Sequence, residues 1–377
     1  MVQTLMIIGL GDVGGNALEF LARTPSVGRI ITADYNSDWG VRKTNNAVVG
    51  AALQGFYPHV EFVKINLNDV EATTETLLKF KPDLIFAGVS LLSWWVRRLL
   101  PVSGRIVEAG SGPWLPVQLK LTLKLMKAVK KSGIKAHVIN ASFPDATNMV
   151  LSKVGPAPTV GIGNLDLVIP LIQSSVAKKL DVPMHNVTVY MVGHHFHDAS
   201  IEEKGSAGGA PYFIKILVNG DDVTHKLDMD EVFSACKIPL PDPTRAAMPV
   251  ASSAVKNILA ILNDTGLLTH APGPLGLPGG YPVRLSAKGA EVVLPKEISL
   301  KEAVKINEAA QKFDGIETIT DDGTIVLTDK SLKIMSELFG YTHGQVRVNE
   351  IDERADELFS RFKALADKYG TAIPAYA

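Results

Sequence analysis

The stretch Leu5-Met-Ile-Ile-Gly9-Leu-Gly11-Asp12-Val13-Gly14 decides how the rest of the chain is read. Leu5 to Ile8 is a short apolar run that suits a buried strand, and Asn16-Ala-Leu-Glu-Phe-Leu-Ala-Arg23 follows the glycines at helical spacing. Each glycine between them has its own task. Gly9 permits a tight strand-to-helix turn, Gly11 lets backbone approach a pyrophosphate, and Gly14 lets helix and strand pack closely. The amides that open the helix, around Asp12 and Val13, would then face the phosphates. A second apolar run, Arg29-Ile-Ile-Thr-Ala33, ends in Asp34, twenty residues past Gly14. An acid there is placed to hold the adenosine ribose hydroxyls. Its charge would repel a 2′-phosphate, so NAD is the expected cofactor, with Arg42 and Lys43 keeping NADP as the alternative.

Outward from this start, His59-Val-Glu-Phe-Val-Lys-Ile65 alternates like a strand and is followed by Asn66. A helix is expected over Val70 to Phe80, and another buried strand at Pro82-Asp-Leu-Ile-Phe-Ala87-Gly88. Strands alternating with helices argue for a parallel doubly wound sheet, whose ligands sit at the strands' carboxyl ends. Here those ends are Gly9, Asp34, Asn66 and Ala87-Gly88. Residues 89–113 are unusual, apolar with the abrupt pair Arg97-Arg98, then the turn-rich Glu108-Ala-Gly-Ser-Gly-Pro-Trp114. A long helix from Leu115 to Lys131 follows, then the strand Lys135 to Ile139, which ends at Asn140; Pro144-Asp145 opens a further helix.

Beyond residue 155 the pattern changes. Asn164 to Lys179 is amphipathic and helical, and Val187 to Val192 alternates as a strand running into Gly193-His-His-Phe-His-Asp198. Tyr212 to Val218 with the turn Asn219-Gly220 reads as a hairpin. Thr244 to Leu262 and Glu302 to Phe313 read as helices, Val283 to Leu285 as a strand, and a hairpin about Asp321-Asp-Gly323 and a charged helix over 350–368 close the chain. The 377 residues suit two domains, 1–155 for the dinucleotide and 156–377 for the substrate and oligomer contacts. A net charge of −1, from 38 basic and 39 acidic residues without long single-sign runs, argues against nucleic-acid or anionic-membrane partners. Cys236 is the single cysteine, which excludes an intrachain disulfide and a cysteine metal cage. A first strand so close to Met1 leaves no room for a signal peptide, and the apolar run Leu84 to Val96 is too short to span a bilayer. A cytoplasmic protein is expected.

The order of landmarks resembles the NAD-dependent lactate/malate dehydrogenase superfamily, which also includes NAD-requiring glycosidases. Over residues 4–313 the run is Asn140 after a strand, Gly161-Ile-Gly-Asn-Leu-Asp166, Val192-Gly-His-His195, Ala210-Pro-Tyr-Phe-Ile with Val-Asn-Gly-Asp-Asp-Val-Thr, Pro249-Val-Ala-Ser-Ser-Ala-Val and Tyr281-Pro-Val. The resemblance implies an α/β fold with an N-terminal Rossmann domain and a C-terminal α+β substrate domain, and a homodimer or homotetramer. It implies that Asn140 lies near the nicotinamide ribose and substrate oxygen, that His195 is the acid/base with Asp166 as its carboxylate, and that Arg97 polarises a substrate carbonyl. The chain also departs from the family. Where an arginine would clamp a substrate carboxylate stands Ile169, which cannot pair with one. Residues 98–114 look inserted, and the tail beyond Phe313 has no counterpart.

The expected chemistry is therefore hydride transfer between NAD and a small hydroxy or oxo compound. Histidine suits the accompanying proton transfer because its pKa lies near working pH. A carboxylate on the far ring nitrogen fixes the tautomer and stabilises the imidazolium. Arg245, in the first turn of the helix beginning near Thr244, is a candidate to replace the missing clamp. The alternatives are an NAD-dependent lyase or hydrolase with transient oxidation, and a nucleotide-sensing protein without catalysis. No metal is expected, although His195 and His197 would share a face of an extended segment next to Asp198.

Overall fold

Thr4–Ile8 forms β1, with all five side chains buried. Because successive side chains point to opposite faces of a strand, β1 feeds two cores at once. Leu5 and Ile7 pack in one with Leu18, Leu21, Ile258 and Ile261. Met6 and Ile8 pack in the other with Leu119, Leu123, Met149 and Val150. The chain is described here from a computed structural model, over residues 3–239 and 247–374. The candidate clamp Arg245 lies outside the described residues.

From β1 the chain runs through α1 (Asp12–Leu21), β2 (Arg29–Asp34), α2 (Ser37–Leu53), β3 (His59–Lys64), α3 (Val70–Phe80) and β4 (Leu84–Ala87). After a 3₁₀ turn at Trp94–Leu99 come α4 (Ser103–Glu108), α5 (Leu115–Ser132), β5 (His137–Asn140), α6 (Pro144–Val154) and β6 (Val160–Gly161). The six strands form one sheet in the order β3-β2-β1-β4-β5-β6, and every pairing in it is parallel. That order is the doubly wound Rossmann arrangement, whose strand order reverses between β1 and β4. The expected fold class holds. α2 starts only two residues past Asp34's neighbour Tyr35, because the Asn36 side chain accepts from the Trp39 amide and caps it. Asp69 caps α3 in the same way.

The second half continues with α7 (Leu165–Leu180), β7 (Val187–Val192), α8 (Phe196–Lys204), β8 (Phe213–Val218), β9 (Asp221–Asp222), α9 (Met229–Ser234) and α10 (Ala247–Leu262). Then come β10 (Leu267–Pro272), β11 (Gly280–Ser286), β12 (Gly289–Val292) and α11 (Leu300–Ala310), which tightens into a 3₁₀ turn at Gln311–Asp314. β7, β8 and β9 form one antiparallel sheet, and β10, β11 and β12 another. β13 (Ile316–Ile319), β14 (Ile325–Leu327), α12 (Asp329–Phe339), β15 (Gln345–Val346) and α13 (Ile351–Lys368) complete the chain.

Two packing features position the site. The tail folds back on the nucleotide half: Ile316, Ile325, Leu327 and Val346 join the core of Met6 and Ile8. The unusual segment after β4 is clasped by the tail, since Trp95, Ile106 and Trp114 bury themselves with Met335, Phe339, Leu358 and Phe362. Trp114 meets Phe339 and Phe362 edge-on at 5.3 and 5.8 Å, pairs worth about 0.5–1.5 kcal/mol each beyond their burial. Cys236 is fully buried in the core of α7 and α9, as a packing residue. No helix among the described residues is long and apolar enough to cross a membrane.

Candidate functional site

At the carboxyl ends of β1 and β4 lies a cavity of about 510 Å³, lined by Gly9, Gly11, Asp12, Val13, Asp34, Asn66, Gly88 and Ser142 among others, within the size range of small-molecule and cofactor sites. The glycine turn makes it accessible. Gly9 has φ +89, and a Cβ there would collide with the Gly88 carbonyl; a Cβ at Gly14 would collide with the Gly9 carbonyl. Gly11 caps α1 without any side-chain hydrogen bond, so the first amides of that helix point free into the cavity. Asp34 closes the β2 end. Its Oδ2 accepts from the Leu10 amide at 2.8 Å and its Oδ1 from the Asn36 amide at 2.9 Å, which locks the carboxylate and leaves further lone pairs. Ala87 stays inside β4, fully buried, and Gly88 takes the lining position. Arg42 pairs with Asp38, and Lys43 lies over the Trp39 ring; neither lines the cavity. Trp94 and Trp95 do, as do Phe359 and Lys363 of α13.

Next to this cavity sits His195. Ser142 lines the cavity, and the ring of Phe143, the following residue, lies 4.8 Å from the His195 ring. His195 stands at the N-cap of α8, with its side chain 25% exposed. Its Nδ1 is 2.6 Å from Asp314 Oδ2. Among the described residues its Nε2 has no hydrogen-bond partner. Burial opposes a charge on this ring, but the charge and hydrogen bond of Asp314, with Asp145 and Asp198 adding to them, raise its pKa to about 9. Burial likewise opposes ionisation of Asp314, yet His195 holds that carboxyl down at about 2. Two more acids stand close. Asp145, bonded by the Asn164 amide, is raised by burial to about 6, and Asp198 is raised by burial and by Glu202 to about 8. His194, fully buried with neither ring nitrogen bonded, is lowered by burial to about 3.

Several expected placements need correction. Asp166 does not meet His195. Its carboxylate is held by Lys256 Nζ at 2.6 and 2.8 Å and by Ser253 Oγ at 2.5 Å. The sequence pattern could place Asp166 on a helix, but the facing lysine on α10 decides where the carboxylate goes. Asn140 is fully buried and bonds inward. Its amide donates to Thr147 Oγ1, Asn148 Oδ1 and the Ser142 carbonyl, and its Oδ1 accepts from the Ser142 amide. It braces the loop, and Ala141 and Ser142 present themselves to the cavity instead. Gly193 to Asp198 is not extended, because α8 begins at Phe196. His197 consequently turns to its own backbone, with Nδ1 at the His194 amide and carbonyl, both at 3.1 Å. Among the described residues no group of three His, Cys, Asp or Glu is arranged to hold a metal.

Arg97 lies near enough to Asp314 to feel its charge, and its Nε donates to the Trp94 carbonyl at 3.2 Å. Its guanidinium lies over the Trp114 ring at 5.2 Å, and burial lowers its pKa to about 10 against the attraction of Asp314. Ile169, at the clamp position, lines a separate recess with Asp166, Lys256, Thr188 and Thr269, whose lining includes neither His195 nor Asp314. Asp314 and Lys256 are the residues that sequence reasoning missed. Lys256 falls within an expected helix with nothing to mark it. Asp314 stands one residue past the stretch that resembles the family, where only the three-dimensional return of the tail gives it meaning.

The comparisons with known proteins fit this architecture. No protein-family model matches the chain. The malate dehydrogenase of Halobacterium salinarum is 31% identical over 158 residues, covering 37% of this chain and 46% of that protein. The chain thus spans about half the length of the curated relatives it matches. Among solved structures, Cryptosporidium parvum malate dehydrogenase superposes with a TM-score of 0.59 at 16% identity, covering 83% of this chain and 98% of the other. Eimeria maxima lactate dehydrogenase, solved with NADH and oxamate, gives 0.57 at 16% identity over 82% and 91%. The fold is therefore like that of these malate and lactate dehydrogenases. In sequence, the likeness to malate dehydrogenases is confined to part of the chain and to less than half of the relative.

Proposed function

We propose that the protein is an NAD-dependent oxidoreductase that interconverts a small hydroxy compound and its oxo form, with His195 as the proton relay. One observation carries this reading: an imidazole beside the dinucleotide cavity has one nitrogen pinned by a carboxylate and the other without a partner among the described residues. The cavity fits a dinucleotide, with uncapped helix amides for the phosphates and Asp34 for a ribose. Bound NAD would supply the hydride acceptor. Gly9, Gly11 and Gly88 admit it, and Asp34 favours NAD over NADP by charge. In the oxidising direction His195 Nε2 takes the hydroxyl proton; in the reducing direction the imidazolium returns it to the carbonyl oxygen. Arg97, close enough to Asp314 to feel its charge, is the candidate to polarise that oxygen. A homodimer or homotetramer, a cytoplasmic location and a division near residue 155 accompany this reading. NADH and oxamate in the Eimeria maxima structure support the cofactor class.

The test is absorbance of reduced nicotinamide across a panel of hydroxy acids, opines and alcohols with NAD. Net NADH formation with one of them is expected. NAD consumed in no case, together with no NAD binding by calorimetry, would overturn the reading. Gly11→Val should abolish NAD binding, because a side chain there occupies the place of the pyrophosphate.

A further inference from the structure

We propose that Asp314 is the positioning carboxylate of His195, in place of Asp166, and that the segment 98–114 and the C-terminal tail exist together to deliver it. The inference rests on the reading of His195 as the proton relay. Its geometric basis is independent of that reading. Asp314 is 4% exposed, and its Oδ2 lies 2.6 Å from His195 Nδ1 while its Oδ1 accepts from the Ser111 amide at 2.9 Å. Both oxygens are thereby aimed, one by the inserted loop and one at the ring.

The loop and the tail are built around each other. Gly110 has φ +79, and a Cβ there would run into the Asp314 carbonyl. Ser331 Oγ donates to the Ala109 carbonyl at 2.6 Å. Trp114 is packed between Phe339 and Phe362 of the tail. A glycine-rich loop that receives a buried carboxylate this closely cannot move without moving Asp314. The loop and the tail therefore meet at Asp314, whose Oδ1 accepts from the loop's Ser111 amide while its Oδ2 bonds His195 Nδ1. Asp166 is meanwhile engaged elsewhere. Lys256 and Ser253 occupy its oxygens, and the Lys256 ammonium is completed by Thr269 Oγ1 at 2.5 Å and the His270 carbonyl at 3.3 Å.

A carboxylate on Nδ1 holds one tautomer, keeps Nε2 directed at the substrate oxygen and stabilises the imidazolium formed when Nε2 takes a proton. The charged and titratable groups facing the pair come from five elements. They are Asp145 on α6, His194 at the end of β7, His197 and Asp198 on α8, Arg97 in the 3₁₀ turn, and Asp314 itself. Among them Asp314 alone bonds the His195 ring.

The experiment is a proton NMR titration of the His195 ring in the full chain, for wild type, Asp314→Asn and Asp166→Asn. It needs no substrate, so it stands whether or not the oxidoreductase reading does. The expected result is a His195 midpoint near 9 in wild type and in Asp166→Asn, and a fall to 6.5 or below in Asp314→Asn. In turnover, Asp314→Asn should lose about 10²–10⁴-fold in kcat with NAD affinity unchanged, and Asp314→Glu should regain part of it. An unmoved His195 midpoint in Asp314→Asn, or the large shift appearing in Asp166→Asn instead, would overturn the proposal. If Asp314→Asn fails to fold, the carboxyl carbon of Asp314 is titrated in His195→Gln. Its midpoint should rise from about 2 by more than one unit, and an unchanged midpoint would overturn the pairing. A normal shift with no turnover in any variant would defeat the oxidoreductase reading and leave the pairing standing.

Discussion

Among the described residues, two buried carboxylates face a nitrogen cation, and they differ in what remains unsatisfied. At Asp166 the ammonium of Lys256 meets the carboxylate, a hydroxyl and a carbonyl, so its three donors are all used. At Asp314 the imidazole has one nitrogen bonded and the other without a partner among the described residues. A closed pair can hold elements together but has no valence left for a substrate. An open one has a proton to give or a lone pair to receive one. The helix position that resembles the family's catalytic aspartate thus carries the closed pair, and a tail residue carries the open one. On the proposed function, the chemistry accordingly lies at the unsatisfied atom rather than at the motif position.

This contrast is most easily broken at the nitrogens. His195→Ala should lower kcat by about 10²–10⁴-fold while leaving the Kd for NAD within two-fold, measured by steady-state kinetics and calorimetry. Lys256→Met should act on stability instead. Asp166 keeps 8% side-chain exposure, so removing its partner strands a buried charge; the loss should fall toward the low end of about 3–5 kcal/mol, since Lys256 itself is 29% exposed. Urea unfolding checks it, and an unchanged midpoint would mean that the pair is not structural.

The open pair also has a pH signature. His195 titrates near 9 in the folded chain against 6.5 unfolded, so its contribution is complete below pH 6.5 and is lost as pH rises through about 9. Asp314 is held at about 2 against 3.8, so its contribution is present above 3.8 and is lost as pH falls through about 2. The stability difference between wild type and Asp314→Asn should therefore be greatest between pH 3.8 and 6.5 and fade toward pH 9. A difference independent of pH would say that Asp314 acts by packing alone. The smallest effect concerns the cofactor. NAD should bind tighter than NADP by about tenfold, or 1.4 kcal/mol, and Asp34→Ser should narrow that gap in calorimetry.

What was legible in the sequence divides along physical lines. The glycine turn, the strands of the nucleotide half and Val187–Val192 obey local rules: periodicity, capping and the space a Cβ needs. Those rules work within a window of a few residues, and the parallel doubly wound class follows from the alternation they reveal. Asn140 and His195 were singled out by the resemblance rather than by those rules, and the Asn140 side chain turns inward to bond Thr147 and Asn148. The partners of Asp166 and His195 were not legible. Each lies far along the chain, at Lys256 and Asp314, and neither stands in a pattern that marks it. β10 was hidden too, since Leu267-Leu-Thr-His-Ala-Pro272 has no clean alternation and is a strand because β11 pairs with it. The segment leading to Trp114 stood out only as unusual, because the residues that bury it lie in the distant tail at Met335, Phe339, Leu358 and Phe362.

The most direct measurement is the pH–rate profile for alcohol oxidation of Asp314→Asn, set beside those of Asp166→Asn and wild type. If His195 is the base and Asp314 its carboxylate, the rising limb lies near pH 9 in wild type and in Asp166→Asn, and moves down toward 6.5 in Asp314→Asn with a lowered plateau. A profile that moves in Asp166→Asn and stays in place in Asp314→Asn would contradict the account.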